Sequence, residues 1–313
     1  MNSIEDLKSD FHSQIVELIN IDNKKISDKC IYVGSGDSYV AGLFTEYFTD
    51  HKCRCYSPSD LSNSRLPRDW TYCFVSVTGK TSANIAVAER ASQAGAKTVA
   101  ITFNENSRLA QVCDTIIHPK IERAITPTAG YGSFAANVLT CLQVVGITVP
   151  KKFDVWYKNA VKLSQNLLES MILPDDTVFL LGNNTLYPLA LYASLQMAEF
   201  FGTAAVAHKL EEFCHSPIFG LKKTHHIWVL GQKEEHVYTR ISKLAGRQIS
   251  YFELYNEDIV SQIFESIFFV QNLILLMAEK HGYTELRNVM MKDVLKVSSD
   301  IIYLNEASKN LIL

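Results

Sequence analysis

A short stretch rich in hydroxyl groups has the residue types of an anion-binding turn. It runs from Ser76 to Ser82 and has the sequence Ser-Val-Thr-Gly-Lys-Thr-Ser. Thr71 to Val75, just before it, is apolar enough for a short buried strand, and residues 83–94 have the composition of a helix. The first N–H groups of a helix have no partner within it, and the helix dipole favours an anion there. Hydroxyls, a glycine and a lysine at this turn therefore predict a phosphate site.

The same stretch has a simpler interpretation. Thr78 or Thr81 could be the capping residue of the following helix, with no ligand involved. A Walker A loop is excluded because the paired glycines of that motif do not occur at the required spacing.

A further hydroxyl follows an earlier strand. Residues 29–34 predict a strand, Gly34-Ser-Gly-Asp-Ser38 follows, and a helix is expected from about Tyr39 to Thr49. Ser38, at the start of that helix, is a second candidate for binding phosphate. The Gly-x-Gly also suggests a dinucleotide-binding turn, but Tyr39 stands where that motif has its third glycine.

Composition is typical of a globular protein with a large core. The 313 residues are 47% hydrophobic and 20% charged, with a net charge of −3, which does not favour nucleic acid as a partner. The polar N-terminus is unlike a signal peptide, no apolar run looks long enough to cross a membrane, and the scattered cysteines indicate a reducing compartment, so we expect a cytoplasmic protein. Cys53 and Cys55 form only a weak CxC metal signal, and neither a metal nor an organic cofactor is expected.

Strand-length and helix-length segments alternate along the first half of the chain. An amphipathic helix is expected over 3–20, strands at 29–34, 71–75, 97–102 and 114–118, and a long apolar helix over 133–146. This alternation predicts a parallel α/β sheet covered on both faces. Residues 148–152 mark a boundary between a first domain, 1–150, and a second, 151–313, which begins with a connecting helix.

The second half repeats the plan of the first. Residues 178–182 match the strand and turn at 31–36, and 225–231 match 71–77. The clearest match joins 94–105 to the segment 245–257, about 150 residues further on, as expected for a duplicated domain. Leu230-Gly-Gln232 replaces Ser76-Val-Thr78 in the second copy, so we expect the first copy to bind the phosphate. An apolar helix over 260–281 and a helical tail over 286–313 complete the chain.

These motifs resemble those of the double sugar-isomerase (SIS) family over nearly the whole chain. Gly34 to Tyr39, the turn at 76–81 and the internal repeat match in order. A further segment, Tyr187 to Glu199 followed by 209–217, is similar to the isomerase domain of glucosamine-6-phosphate synthase and to archaeal phosphoglucose/phosphomannose isomerases. The resemblance implies two tandem SIS domains, each a parallel, flavodoxin-like sheet sandwiched by helices, and a helical C-terminal tail.

The resemblance also implies roles for individual residues. The phosphate ligands it implies are Ser38, Ser76, Thr78 and Thr81. Glu199 would be the base that moves a proton between C1 and C2, and His215 would open the sugar ring from the partner subunit of a homodimer with shared active sites. A lysine in the tail often completes such sites; Lys309 is the first candidate, followed by Lys296 and Lys292.

The chemistry of Glu199 and His215 fits these roles. Proton transfer between adjacent carbons needs a carboxylate poised near the operating pH in a dry pocket, and the apolar residues around Glu199 are expected to raise its pKa. A histidine can both donate and accept a proton near neutrality. Without the resemblance, Glu199 would be interpreted as an exposed helix carboxylate and His215 as a structural residue. A solvated position is expected for Glu211, Glu212, His225 and His226.

Three departures from the synthase leave the substrate open. Gln196 and Tyr192 replace its lysine and glutamate, Ser216 replaces the glycine of its His-Gly-Pro, and Val77 replaces a glutamine of its phosphate loop. No glutaminase domain or N-terminal cysteine nucleophile is found, so glutamine-dependent amide transfer by this chain alone is not expected.

The sequence therefore predicts a phosphosugar isomerase whose ligand is a sugar phosphate and whose partners include neither nucleic acid nor a membrane. The expected substrate is of the fructose-, glucose- or glucosamine-6-phosphate type, and the expected reaction transfers a proton through an enediol or enediolamine. A deaminase or deglycase of amino-sugar phosphates, which uses the same chemistry, is an alternative. Another is a non-catalytic sugar-phosphate-binding regulator, which needs the phosphate hydroxyls but not Glu199, His215 and a tail lysine together.

Overall fold

The chain forms two compact units, which we describe separately. The computed structural model describes residues 3–22, 24–121, 130–173, 176–232, 239–244 and 248–303. The five-stranded unit holds the described residues of 16–151 and 288–303, and the four-stranded unit holds those of 3–15 and 152–287. The first helix, α1 (Ile4–Ile19), has residues in both groups. The division at Lys151 and Lys152 falls inside the predicted boundary region. The units differ from the predicted domains 1–150 and 151–313, because residues 3–15 group with the second half and residues 288–303 with the first.

The five-stranded unit contains a doubly wound parallel sheet in the order β2-β1-β3-β4-β5. Its strands are β1 (Cys30–Val33), β2 (Arg54–Tyr56), β3 (Thr71–Val75), β4 (Lys97–Ile101) and β5 (Thr115–Ile117). Between and after them lie α2 (Asp37–Phe48), α3 (Pro58–Leu61), α4 (Ser82–Gln93), α5 (Arg108–Val112) and α6 (Tyr131–Val144). The strand order is that of flavodoxin-like sheets, which confirms the predicted fold class.

Helices cover both faces of this sheet, which explains why its central strands are apolar throughout. All five residues of β3 are buried. On one face Tyr72 and Phe74 pack with Ile85 of α4 and Leu109 of α5. On the other, the hydroxyl of Tyr32 donates a 2.6 Å hydrogen bond to a carbonyl of α6. Two-sided burial favours continuous apolar runs over alternating ones.

Six of the seven cysteines lie in the five-stranded unit, and none is in a disulfide. Cys53 and Cys55 are buried at and beside β2, so their spacing of two is the period of a strand. Burial raises the pKa of the Cys55 and Cys141 thiols well above the ordinary value. The seventh cysteine, Cys214, is exposed in the four-stranded unit.

The four-stranded unit has a parallel sheet in the order β7-β6-β8-β9. Its strands are β6 (Val178–Leu181), β7 (Ala205–His208), β8 (His226–Gly231) and β9 (Gln248–Glu253). Its helices include α7 (Phe153–Leu168), α8 (Leu186–Phe201), α9 (Leu210–His215) and α10 (Ile259–Lys280). The chain then continues through α11 (Arg287–Met290) and α12 (Lys292–Tyr303). The order matches that of the first four strands of the other sheet, which confirms the predicted duplication.

The long helix α10 corrects one expectation drawn from the sequence. Its 22 residues are long and apolar enough to cross a membrane, with a mean hydropathy of 1.7 in the most apolar stretch, so the expectation of no such run is wrong. However, 78% of that stretch is buried within the structure. The ring of Phe264 stacks on Trp156 of α7 with centroids 5.5 Å apart, and Phe269 packs on Phe252 of β9. The apolar composition of α10 is explained by this central packing.

The expected solvated position of His225 and His226 is also wrong. Only 6% of His225 and 5% of His226 is exposed. His226 begins β8, an inner strand, and lies opposite Val178 and Gln248 of the neighbouring strands. Burial follows because strands flank it on both sides.

Candidate functional site

Two turns lie side by side at the carboxyl edge of the five-stranded sheet. One joins β1 to α2, and the other joins β3 to α4. β1 and β3 are hydrogen-bonded neighbours, with Val33 opposite Phe74 near their carboxyl ends. The chain proceeds from β1 to β2 on one side and then returns to β3 on the other. Such a reversal of strand order is where open α/β sheets bind ligands.

The turn after β3 presents hydroxyl groups at the start of α4. The Oγ atom of Ser76 accepts a 3.2 Å hydrogen bond from the amide of Gly79 and lies 3.5 Å from the Oγ1 atom of Thr81. Thr78 Oγ1 accepts a hydrogen bond from the amide of Lys80 at 3.3 Å. Thr81 is the N-cap residue, but its side chain makes no capping hydrogen bond with the described residues. A simple helix cap therefore does not explain this turn, and the first amides of α4 are suited to an anion.

The shape of this turn depends on Gly79. Its φ is +63°, and a Cβ atom there would lie 2.1 Å from the Oγ atom of Ser107. The carbonyl of Gly79 accepts a hydrogen bond from Leu109, and that of Val77 accepts one from Phe103. These contacts with α5 and with the segment between β4 and α5 hold the turn in place.

The turn after β1 brings Ser38 and a carboxyl group to the same edge. Gly36, with a φ of 56°, precedes α2, and a Cβ atom on Gly34 would lie 2.7 Å from the main chain of Ser38. Asp37 is the first residue of α2, and burial raises its pKa to about 7. Its Oδ1 atom is shielded from solvent and has no hydrogen-bond partner among the described residues. Sequence reasoning missed Asp37; its position beside Ser38 was the available signal.

The corresponding turn of the four-stranded unit keeps the glycine and the left-handed residue but has different side-chain partners. Gly182 follows β6, and a Cβ atom there would lie 2.2 Å from the carbonyl oxygen of Leu186. Asn184 has a φ of 52°, close to that of the glycine at the matching position. The Oγ1 atom of Thr185 accepts a 2.8 Å hydrogen bond from Gln262, and Leu186, which is buried, takes the place of the serine.

The predicted catalytic residues of the four-stranded unit lie on α8 and α9. Glu199 is partly buried near the end of α8, and its Oε2 atom is shielded from solvent. Its neighbours along the chain are the exposed Ala198 and the buried Phe200. His215 ends α9, and 72% of its side chain is exposed. Its Nε2 atom lies 3.8 Å from Glu211, whose exposed side chain agrees with the expected solvated position. Glu212 is exposed as well.

The structure describes two of the three lysines predicted to complete the site. Lys309 lies outside the described residues. Lys292 and Lys296 are both exposed on α12, and Lys296 forms a 2.6 Å ion pair with Asp300.

Curated proteins with similar sequences are longer than this chain. No family model matches it. A glutamine--fructose-6-phosphate aminotransferase [isomerizing] from Campylobacter jejuni is 23% identical over 225 residues, which cover 64% of this chain and 37% of that protein. The matched segment therefore spans well under half the length of this relative.

Solved structures with the same architecture cover almost the entire chain. The C-terminal domain of glucosamine-fructose-6-phosphate aminotransferase from Francisella tularensis matches with a TM-score of 0.68 and 15% identity, over 90% of this chain and 96% of that one. The chain has the double-SIS fold. A glucosamine-6-phosphate deaminase from Thermotoga maritima shares this fold, with a TM-score of 0.73, 18% identity and coverage of 90% and 95%. The double-SIS fold is the one that the order of motifs predicts.

Proposed function

We propose that this double-SIS chain isomerises a 6-phosphosugar between its aldose and ketose forms. The observation that carries the proposal is the pair of turns at the carboxyl edge of the five-stranded sheet. Ser38, Ser76, Thr78 and Thr81 supply hydroxyls there, and the helices after both turns begin without a side-chain cap among the described residues. Hydrogen bonds from hydroxyls and amides to a doubly charged phosphate are stronger than those to neutral acceptors.

Within this proposal Glu199 is the base. Its carboxylate takes a proton from one carbon of the open-chain sugar and returns it to the neighbouring carbon, so the carbonyl moves between C1 and C2 through an enediol. The shielding of one of its oxygens supports the role, because proton transfer to and from carbon needs a site from which water is excluded. His215 assists ring opening by transferring a proton between the ring oxygen and the C1 hydroxyl.

A deaminase or deglycase is the second candidate. This alternative is supported by the structural similarity to the Thermotoga maritima deaminase, with a TM-score of 0.73. Such an enzyme also moves a proton between C1 and C2, and then releases ammonia or an amine. The same base therefore serves both candidates, and product analysis distinguishes them.

The test compares binding with proton exchange. We expect the wild-type protein to bind at least one of glucose-, mannose-, fructose- and glucosamine-6-phosphate and to exchange its C1 or C2 hydrogen in heavy water. Glu199→Gln should lower the exchange rate by about 10²–10⁴-fold, the usual worth of general-base catalysis, with little change in affinity. Glu169→Gln, which neutralises an exposed carboxylate of the same unit, is the matched control.

Two outcomes would contradict this assignment. Tight binding without exchange of any of the four sugars would favour a regulator. Exchange that survives in Glu199→Gln would move the base elsewhere, and Glu211 and Glu212 would be tested next.

We also propose that the active protein is a homodimer in which His215 serves the partner's site. The exposure of 72% of its side chain supports this proposal. Mixing inactive Glu199→Gln and His215→Ala subunits should restore part of the activity, because a mixed dimer can hold one site with both wild-type groups. No recovery after verified subunit exchange would place both groups of one chain in one site.

A further inference from the structure

A cavity of about 260 Å³ lies beside β5, the edge strand at one end of the five-stranded sheet. Its lining residues come from β5 and the segment after it, from the C-terminal end of α6, from the segment after α1, and from the segment between β4 and α5. None of these residues belongs to the turns at 34–38 and 76–82, so the cavity is separate from the candidate phosphate site. Small-molecule sites usually have volumes of about 300–1,000 Å³, so a cavity of this size suits a small ligand.

Gln143 of α6 provides a polar group inside this cavity. Only 6% of the residue is exposed, yet its side chain makes no hydrogen bond with the described part of the chain. Neither of its amide atoms is fully shielded, and the residue lines the cavity, so its remaining exposure faces the cavity. A buried amide without a partner costs free energy. Gln143 therefore indicates a ligand that carries a polar group.

Four charged residues line the same cavity, and two of them lack an ion pair. Lys120 pairs with Asp22 at 3.0 Å. Lys24 and Glu105 are exposed and form no ion pair within the residue ranges that the structure describes. His118 also lines the cavity, but its Nδ1 atom already accepts a 2.9 Å hydrogen bond from the amide of Lys120. The cavity therefore offers a ligand one unpaired positive charge and one unpaired negative charge.

Most of the remaining lining is aliphatic. Ile21, Pro119 and Val144 are buried, and Ile117 of β5 is partly buried. Transfer of an apolar group from water to such a surface is favourable. The ligand that suits the cavity is thus small, carries both charges, and has an apolar part.

We propose that this cavity binds a free α-amino acid with an apolar side chain. The carboxylate of the amino acid pairs with Lys24 and accepts a hydrogen bond from the amide of Gln143. Its ammonium group pairs with Glu105, and its side chain packs against the aliphatic residues. Charge complementarity of this kind gives specificity, because an amine or a carboxylic acid alone matches only one of the two unpaired charges.

The first experiment compares ligands by calorimetry with the full chain. Valine, leucine, methionine and phenylalanine are screened, and the tightest of them is compared with the acid that lacks its amino group and with the amine that lacks its carboxylate. We expect the amino acid to bind about threefold or more tightly than either, because each exposed ion pair is worth up to about fivefold in affinity. Aspartate and lysine, whose side chains are charged, should bind more weakly than the apolar amino acids.

The second experiment removes the groups that bind the ligand. Gln143→Met keeps a side chain of similar length without the amide, and should weaken binding by about tenfold, the effect of a lost hydrogen bond to a charged group. Lys24→Gln and Glu105→Gln should each weaken binding by about threefold. Both charged residues are exposed, so these two variants decide the question even if Gln143→Met does not fold.

Matched controls come from the same unit. Gln111→Met removes an exposed amide of α5, and Lys97→Gln removes an exposed positive charge at the start of β4. Neither residue lines the cavity, so both variants should bind the amino acid as the wild-type protein does.

Three results would overturn the proposal. They are the absence of binding by all four apolar amino acids at about 10 mM, where even a weak site would be filled, equal affinity for the amino acid and for its amine or acid, and unchanged affinity in Lys24→Gln and Glu105→Gln. No step of the test uses a sugar phosphate, so its result does not depend on the proposed function.

Discussion

The turn after β1 and the turn after β6 have two backbone features in common but use their polar groups differently. Each begins with a glycine packed against the first turn of the following helix, and each has a left-handed residue two positions later, Gly36 in one and Asn184 in the other. In the four-stranded unit Thr185 bonds to Gln262, and Asn183 accepts a hydrogen bond from the amide of Leu210. In the five-stranded unit Asp37 keeps a shielded oxygen without a described partner.

The difference shows how one duplicated turn can be structural in one unit and suited to binding in the other. A turn whose side chains bond to its own protein gains stability and has little left for a ligand. A turn whose donors and acceptors lack internal partners is less favourable in the free protein, but can form new bonds when a ligand arrives. We therefore expect substitutions in the two turns to affect different properties.

The largest effect is expected for the double substitution Thr78→Ala and Thr81→Ala. Each hydroxyl bonded to a phosphate is worth roughly 1.5–3 kcal/mol, so affinity for the preferred 6-phosphosugar should fall by about a hundredfold or more. The free energy of unfolding should change by less than about 1 kcal/mol, because both side chains are partly exposed on a turn. Calorimetry and urea unfolding measure the two quantities. The control is Ser92→Ala, which removes an exposed hydroxyl near the other end of α4. Unchanged affinity in the double variant would show that the turn has only a structural role.

A smaller effect, with a defined pH dependence, is expected for Asp37→Asn. The folded-state pKa of about 7 exceeds the ordinary 3.8, so ionisation favours the unfolded state once the pH rises above 3.8. The stability of the variant relative to wild type should rise between pH 4 and 7 and stay constant above that, by at most about 4 kcal/mol.

Asp69→Asn provides the contrast for that measurement. The hydrogen bond from Lys29 lowers the pKa of Asp69 in the folded protein. The stabilisation of the fold by the ionised carboxylate therefore reaches its full value once the pH is above the ordinary carboxyl pKa. The stability difference of Asp69→Asn should therefore be flat between pH 4.5 and 8. An equally flat difference for Asp37→Asn, measured by urea unfolding, would show that its carboxyl group is not shielded from water in the folded protein.

The smallest effect is expected for Thr185→Val in the four-stranded unit. The substitution leaves the amide of Gln262 buried without its partner, which should cost about 1–3 kcal/mol in the free energy of unfolding. Affinity for the sugar phosphate should not change. Thr81→Val, in the turn after β3 of the five-stranded unit, should weaken binding and leave stability nearly unchanged. If Thr185→Val also weakened binding, the two turns would not differ in the way described here.

Much of the fold could be predicted from periodicity alone, but two strands were missed. The alternation of strands and helices and the internal repeat gave the correct class, because two-sided burial leaves long apolar runs. β2 and β7 were missed because they are edge strands of three and four residues and bury only part of their side chains. The edge strand β5 is as short, but it contains the adjacent β-branched residues Ile116 and Ile117, which are a stronger strand signal.

The site was harder to predict than the fold. The hydroxyls around Ser76 were found because their types suit an anion and they follow a strand. The shielded, unpartnered Oδ1 atom of Asp37 could not be predicted in this way. Whether a polar atom has a hydrogen-bond partner depends on residues distant in the chain. Thr185 shows this dependence, since its partner lies 77 positions away.

The uneven distribution of cysteines means that the two units carry separate chemical reporters. Only thiolates react quickly with alkylating reagents, so Cys55 and Cys141, which are buried and have raised pKa values, should be labelled only when the five-stranded unit opens. Cys214 is exposed and should react at once in the folded protein. Timed alkylation followed by peptide mass spectrometry would thus measure how fast the five-stranded unit opens. The labelling of Cys214 in the four-stranded unit provides the reference, and no substitution is needed.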